Sequence, residues 1–349
     1  MHILIITPGF PQDEKDTSCI PPMQEFLKEL RSSYPEINIS VVALHYPYKR
    51  LSFKWNGISV HSCGGKGKTK PFRIFIWTLS ILVSLKINMK LKVDLIHSFW
   101  LTESALIGNI LSRSLNVKHI STMMGQDAKP TNKYLRRLNL KNIIKVAVSD
   151  FQAEVFNQST NMKANKTIPW GIKSFALGDS PREIDILGAG SLIPVKNFSL
   201  FIRIINGLKK EFPNINTVLI GDGEQLNALK ELVHKNNLDG NIKFTGFQSR
   251  ETVLSFMNKS KVFLHTSNYE SFGYVIAEAL AAGCYVVCKP VGCAKENGRL
   301  FTAQEKNDFI NIIRRIMLDG KEFIPCNPFP VEQTVNSYAE LYLSTSKGN

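Results

Sequence analysis

The sequence has no pair of cysteines spaced C-x-x-C. Its six cysteines, at positions 19, 63, 284, 288, 293 and 326, have no histidine nearby at metal-ligand spacing. This argues against a zinc site, and free thiols in a reducing compartment are the expected state. Long hydrophobic runs are also lacking. The longest, Phe75 to Leu85, is too short to span a bilayer, and the first residues enter a strand pattern directly, so a cytosolic protein without a signal peptide is expected. Acidic residues are missing from one extended stretch. None occurs between Glu36 and Asp94, whereas Lys49, Arg50, Lys54, Lys66, Lys68, Lys70, Arg73, Lys86, Lys90 and Lys92 all fall there. These cations flank the apolar run, so the segment either lies on an anionic membrane surface or forms a buried helix with solvated basic flanks. No aromatic-basic RNA motif or recognition-helix pattern accompanies the charge, so nucleic acid is not an expected partner.

The chain is 349 residues long and 44% apolar, enough for two domains with substantial cores. Its basicity is uneven, with an excess of eleven positive charges in residues 1–150 and three in the remainder. Apolar strand patterns alternate with helical ones in both halves. In the first, strands are expected at His2–Pro8, Ile37–Leu44, Val93–Trp100, Lys118–Met124, Ile143–Val148 and Lys166–Trp170. Helices are expected at Met23–Ser32, Glu103–Leu115 and Asp150–Asn157, the last started by a capping box of Ser149 and Gln152. The stretch 171–182 loses periodicity and reads as a linker. Strands then recur at Ile184–Leu187, Thr217–Ile220, Ile242–Thr245, Val262–Thr266 and Cys284–Cys288. Helices are expected at Lys196–Phe212, Glu224–Asn236 and Arg250–Lys259, with another from about Gly273 and a last one at Val331–Ser344. Such alternation implies parallel sheets covered on both faces. Residues 1–170, 171–330 and 331–349 are the expected divisions, two doubly wound α/β domains followed by a helix packing back on the first.

The chemistry concentrates in Ser267 to Pro290, S-N-Y-E-S-F-G-Y-V-I-A-E-A-L-A-A-G-C-Y-V-V-C-K-P. Glu270 and Glu278 stand eight residues apart across a strand-to-helix junction, with Ser271, Phe272 and Gly273 between them. A helix amino terminus at a strand's carboxyl end offers free N–H groups and a positive dipole end, which suits phosphate. Carboxylates on either side of it suit hydroxyls, so a nucleotide sugar fits, although a capped helix with two solvated glutamates has the same pattern. Three upstream loops also follow strands. They are Gly188 to Lys196, where glycines open a turn and Lys196 can reach a diphosphate, Gly221 to Glu224, and Phe244 to Phe247, where Phe247 and backbone amides can meet a base. A cleft where the strand carboxyl ends of the two domains meet is the expected ligand site. His97 ends a strand near that place, and His265 reads as core.

Taken together, these motifs resemble the family 4 retaining glycosyltransferases, which have the GT-B architecture of two facing Rossmann-like domains. The E-x7-E signature matches as Glu270 and Glu278, P-x-G as Pro169 to Gly171, the G-x-G loop and its lysine as Gly188, Gly190 and Lys196, and the G-D-G turn as Gly221 to Gly223. The resemblance implies transfer of a hexose-type sugar from a nucleotide-diphosphate donor to a glycan or lipid-linked glycan, as in cell-surface polysaccharide synthesis, without metal or other cofactor. It assigns Glu278 to the ribose hydroxyls, Glu270 to the transferred sugar, the amides of Phe272 and Gly273 to the diphosphate and Lys196 to the leaving group. The donor set also includes Gly190, Ser191, Gly221, Phe247 and Ser271, while Gly9, His97, Gly125 and Asp127 fall on the acceptor side, with Asp127 also a catalytic candidate.

Three positions depart from the family pattern. Ser191 stands where many relatives carry arginine, Met124-Gly125-Gln126-Asp127 replaces H-G-x-D, and Ser18-Cys19-Ile20 replaces a glycine pair. They leave a degenerate donor-binding or scaffold protein of the same fold as an alternative. A GT-B nucleotide-sugar epimerase would need more acid/base groups in the first domain. A transferase forming a sugar phosphate on a soluble acceptor would not need the basic apolar segment.

Overall fold

A computed structural model describes residues 1–66, 70–174, 181–319 and 322–346. Lys68, the side chain of Lys70 and residues 175–180 of the linker stretch lie outside them. The chain forms two compact units, Met1–Gly171 with Val331–Asn349, and Ile172–Pro330.

The first unit runs β1 (His2–Gly9), α1 (Pro21–Ser33), β2 (Asn38–Tyr46), β3 (Arg50–Trp55), β4 (Ile58–Cys63), α2 (Lys70–Lys90), β5 (Leu95–Phe99), α3 (Glu103–Leu115), β6 (Lys118–Thr122), β7 (Ile144–Ala147), α4 (Asp150–Thr160) and β8 (Lys166–Thr167). Its sheet has the order β3-β4-β2-β1-β5-β6-β7-β8. Every pairing is parallel except β3 with β4. The central strand β1 is a continuous apolar run, Ile3 to Ile6 being fully buried, as a strand covered on both faces must be. Ser149 caps α4 by accepting from the backbone N–H of Gln152 at 3.0 Å, and the Gln152 side chain accepts from the backbone of Val148.

Two features of this unit differ from the sequence reading. The basic stretch contains the antiparallel hairpin β3–β4, turned by Asn56-Gly57, whose exposed face is polar and charged and so lacks a clear apolar strand pattern. The apolar run at Phe75 is the middle of a longer helix. Arg73 and Ile74 before it and Lys86 to Lys90 after it continue the turns, so Phe72–Lys90 is long and apolar enough to cross a membrane by length and composition, although only 22% of its most apolar window is buried.

The second unit runs β9 (Ile184–Ala189), α5 (Phe198–Lys209), β10 (Thr217–Ile220), α6 (Leu226–Lys235), β11 (Ile242–Gly246), α7 (Arg250–Asn258), β12 (Ser260–His265), α8 (Tyr274–Ala281), β13 (Tyr285–Cys288), β14 (Leu300–Thr302) and α9 (Lys306–Leu318). All six strands are parallel in the order β11-β10-β9-β12-β13-β14. The order reverses between β9 and β12, and the crevice at the carboxyl ends of those two strands is where doubly wound sheets bind ligands. Phe201, Ile202 and Ile205 of α5 pack with Leu219, Phe309 and Ile313 in the core. Strand β14 and helix α9 were not expected, although α9 carries Phe309, Ile310, Ile313 and Ile316 at helical spacing behind a Glu305–Asp308 capping box.

The last helix, α10 (Val331–Ser346), belongs to the first unit. Tyr342 and Tyr338 are fully buried. The Tyr342 hydroxyl bonds His97 Nδ1 at 2.7 Å, the Tyr338 hydroxyl meets Thr122 Oγ1 at 2.8 Å, and His97 Nε2 meets the same Thr122 oxygen at 2.8 Å. Burial, and then the neighbouring His119, push the His97 pKa down to about 3, so the ring is neutral. Removing one hydroxyl leaves a buried nitrogen without its partner. Tyr342→Phe is expected to lower unfolding stability by about 1–3 kcal/mol in urea titration, and an unchanged midpoint would show that the bond contributes nothing net.

Candidate functional site

The four loops expected to carry chemistry in the second unit follow β9, β10, β11 and β12, all at the carboxyl edge of one sheet. Backbone bonds tie the first three together. Gly190 N–H donates to Ile220 at 3.0 Å, Leu192 N–H to Asp222 at 2.9 Å and Gly221 N–H to Gly246 at 2.9 Å. The approach is so close that a Cβ on Gly221 would lie 1.9 Å from the Gly190 carbonyl oxygen, which is why that position takes glycine.

The loop after β12 is fastened to the loop after β9 across the switch point. Thr266 Oγ1 donates to the carbonyls of Lys196 and Asn197, Ser267 Oγ to that of Val195, and the Asn268 N–H to Val195 as well. These bonds bring Lys196 Nζ to 2.5 Å from Glu270 Oε1. The same oxygen faces His265 Nε2 at 2.9 Å, so an ionised carboxylate accepts both hydrogen bonds. Glu270 Oε2 accepts no hydrogen bond among the described residues. Burial by itself raises the Glu270 pKa, but the His265 hydrogen bond and the Lys196 charge outweigh it and hold the carboxyl down to about 2.

Helix α8 starts immediately afterwards. Gly273 caps it at φ 81°, a left-handed conformation that lets the chain turn from Glu270 into the helix without strain. Phe272 is buried against Phe329, with ring centroids 5.2 Å apart. Glu278 is 4% exposed, and its Oε1 accepts from Arg250 Nε at 2.7 Å while the guanidinium lies over the Tyr274 ring. The first turn of α8, with its positive dipole end, therefore lies in sequence between an oxygen of Glu270 that accepts nothing and a carboxylate held by an arginine. Phe247, after β11, is 73% exposed, an aromatic face open to stacking. Ser191 is exposed in the loop after β9.

His265, read from sequence as core, is indeed buried, but its Nε2 faces Glu270 and so belongs to the site, and Arg250 was not singled out. His265 sits inside an apolar strand pattern, and only its position as the last residue of β12, five before Glu270, marks it as a strand-end residue. Arg250 opens an ordinary amphipathic helix. Among the described residues no three His, Cys, Asp or Glu side chains gather as a metal set.

In the first unit, Asp127 is buried and accepts from the backbone N–H groups of Leu101 at 2.7 Å and Gly125 at 2.7 Å. Burial raises its pKa and those bonds oppose the rise, so its visible work is to fix the loop at Met124–Gly125. His97 is closed inside the core as described above, and Gly9 is buried at the end of β1 beside Tyr46 and Cys19.

The Glu270 arrangement has a pH signature. Its folded-state pKa of about 2 lies below the ordinary 4.5, so the carboxylate stabilises the fold in full above about pH 4.5, and that contribution disappears as pH falls toward 2. The difference in unfolding free energy between the wild type and Glu270→Gln is expected to shrink between pH 5 and pH 3, from an upper limit of about 3 kcal/mol. A difference independent of pH across that window would refute the assignment.

Residues 172–323 match the family described as glycosyl transferases group 1. An uncharacterised glycosyltransferase of Methanocaldococcus jannaschii is 28% identical over 279 residues, which are 72% of this chain and 75% of that protein. The 2-deoxystreptamine N-acetyl-D-glucosaminyltransferase of Niallia circulans is 28% identical over 102 residues, covering 29% and 26% of the two chains. Among solved structures, HepE of Anabaena in complex with UDP superposes with a TM-score of 0.75 at 19% identity, over 99% of this chain and all of that one. Sucrose-phosphate synthase of Thermosynechococcus elongatus superposes with a TM-score of 0.79 at 17% identity, over the whole of both. The group 1 match spans the second unit, and the two parallel-sheet α/β units have the GT-B fold that these solved structures share.

Proposed function

We propose that the chain is a retaining, metal-independent glycosyltransferase that moves a hexose-type sugar from a nucleotide-diphosphate donor to a glycan or lipid-linked glycan, in cell-surface polysaccharide synthesis on the cytosolic side. The observation that carries this reading is the Lys196–Glu270–His265 cluster at the switch point of the second sheet, immediately before the amino end of α8. Lys196 and the helix dipole supply positive charge where a diphosphate leaves, the part a metal plays elsewhere. Glu270 Oε2 accepts from sugar hydroxyls. Glu278, oriented by Arg250, meets the ribose, and Phe247 the base. That HepE has been solved with UDP and with UDP-glucose supports a uridine donor.

In the reaction the bond from the sugar C1 to the phosphate oxygen breaks and a bond from C1 to the acceptor oxygen forms on the same face. The acceptor's proton passes to the departing diphosphate. Lys196 neutralises the developing charge on that group, and Glu270 orients the sugar.

Purified protein offered a panel of nucleotide sugars is expected to bind and consume at least one, with a product of the same anomeric configuration as the donor by NMR. Glu270→Gln should reduce kcat by roughly a hundredfold or more while UDP still binds, and Lys196→Ala should weaken both. Glu278→Ala should raise the donor KM more than it lowers kcat. Unchanged turnover in Glu270→Gln, or no donor bound at all, would remove the enzymatic reading, and an inverted product would remove retention.

A further inference from the structure

Helix α2 is packed on one side only. Ile76, Leu79, Ser80, Ser84 and Ile87 are buried, and the helix rests on β2, β4 and α3. On the opposite side Ile74 is 61% exposed, Phe75 57%, Leu82 59% and Met89 81%. At 100° per residue these four fall within about a third of the circumference, so they form one apolar stripe along the helix. A soluble surface does not ordinarily line up its largest apolar side chains.

A second feature adjoins the stripe. Between α2 and the β3–β4 hairpin lies a cavity of about 470 Å³ whose lining includes Arg50, His61, Lys86 and Lys90, together with apolar Leu51 and Ile87. Arg50, Lys86 and Lys90 form no ion pair among the described residues, and no carboxylate lines the cavity. His61 registers this concentration of charge. Burial lowers its pKa first, and Lys90, Lys54 and Lys86 lower it further. Lys86 stands on the border between cavity and stripe, facing both.

We propose that α2 lies in the surface of an anionic membrane, with its stripe among the acyl chains and the phosphate of an acidic phospholipid in the Arg50–Lys86–Lys90 cavity. The charge complementarity selects this occupant. Three unpaired cations without a carboxylate suit a phosphodiester, and the adjacent apolar stripe suits the chains attached to it. A helix committed to β2, β4 and α3 along one side cannot also cross the bilayer, so its length is used parallel to the surface. The proposal does not depend on the transferase reading, since it concerns lipid binding by the first unit.

Flotation of the full-length protein tests it. Vesicles of phosphatidylcholine mixed with phosphatidylglycerol are expected to carry the wild type upward at low salt and release it at high salt, and pure phosphatidylcholine vesicles to leave it behind. Neutralising Arg50, Lys86 and Lys90 together to glutamine should weaken binding by about a hundredfold, as should Leu82→Ser with Met89→Ser, with the melting temperature kept. If a variant fails to fold, the salt and lipid dependence of the wild type still decides. Equal flotation with both lipids, retention in high salt as expected of a spanning helix, or a stable dimer that ignores vesicles would each overturn the proposal.

Discussion

One carboxylate oxygen organises the second unit's site. Glu270 Oε1 accepts a hydrogen bond from Lys196 and another from His265, and the loops after β9 and β12 are held together by Thr266, Ser267 and Asn268 through backbone carbonyls. Burial disfavours the charge and the two donors favour it, and the donors prevail. Without them a carboxyl so enclosed would hold its proton more tightly. Both of these bonds fall on one oxygen of the carboxylate.

The two glutamates of the site are thus held in different ways. Glu270 is kept ionised by an ammonium and an imidazole on two different elements. Glu278 is bound to a guanidinium that is itself packed over an aromatic ring, so its position is fixed before anything arrives. A rigid carboxylate suits recognition of hydroxyls and an adaptable one suits a group undergoing chemistry.

The sequence made part of this legible. The glutamate pair, the glycine turns and Lys196 could be found because each sits in a loop after an apolar strand, where polar residue types stand out. Helix α3 was delimited to the residue by the change in pattern at Glu103 and Leu115. His265 could not be found in the same way, since a histidine within L-H-T looks like any strand residue until its neighbour across the loop is known. Arg250 was hidden because its partner is twenty-eight positions away. The β3–β4 hairpin was obscured by its charges, although Asn56-Gly57 between alternating residues is a strong turn signal. The reach of α2 was underestimated because its flanking turns are basic while the helix continues through them.

The order of synthesis gives α10 a further significance. Residues 1–171 leave the ribosome first, yet His97 and Thr122 have their hydroxyl partners on a helix made after the whole of the second unit. Until Tyr338 and Tyr342 emerge, His97 of β5 and Thr122 of β6 lack these hydroxyl partners. The second unit, continuous in sequence, has no such debt and can complete its core at once. The first unit is therefore discontinuous in sequence, and its seam closes only once α10 has been made.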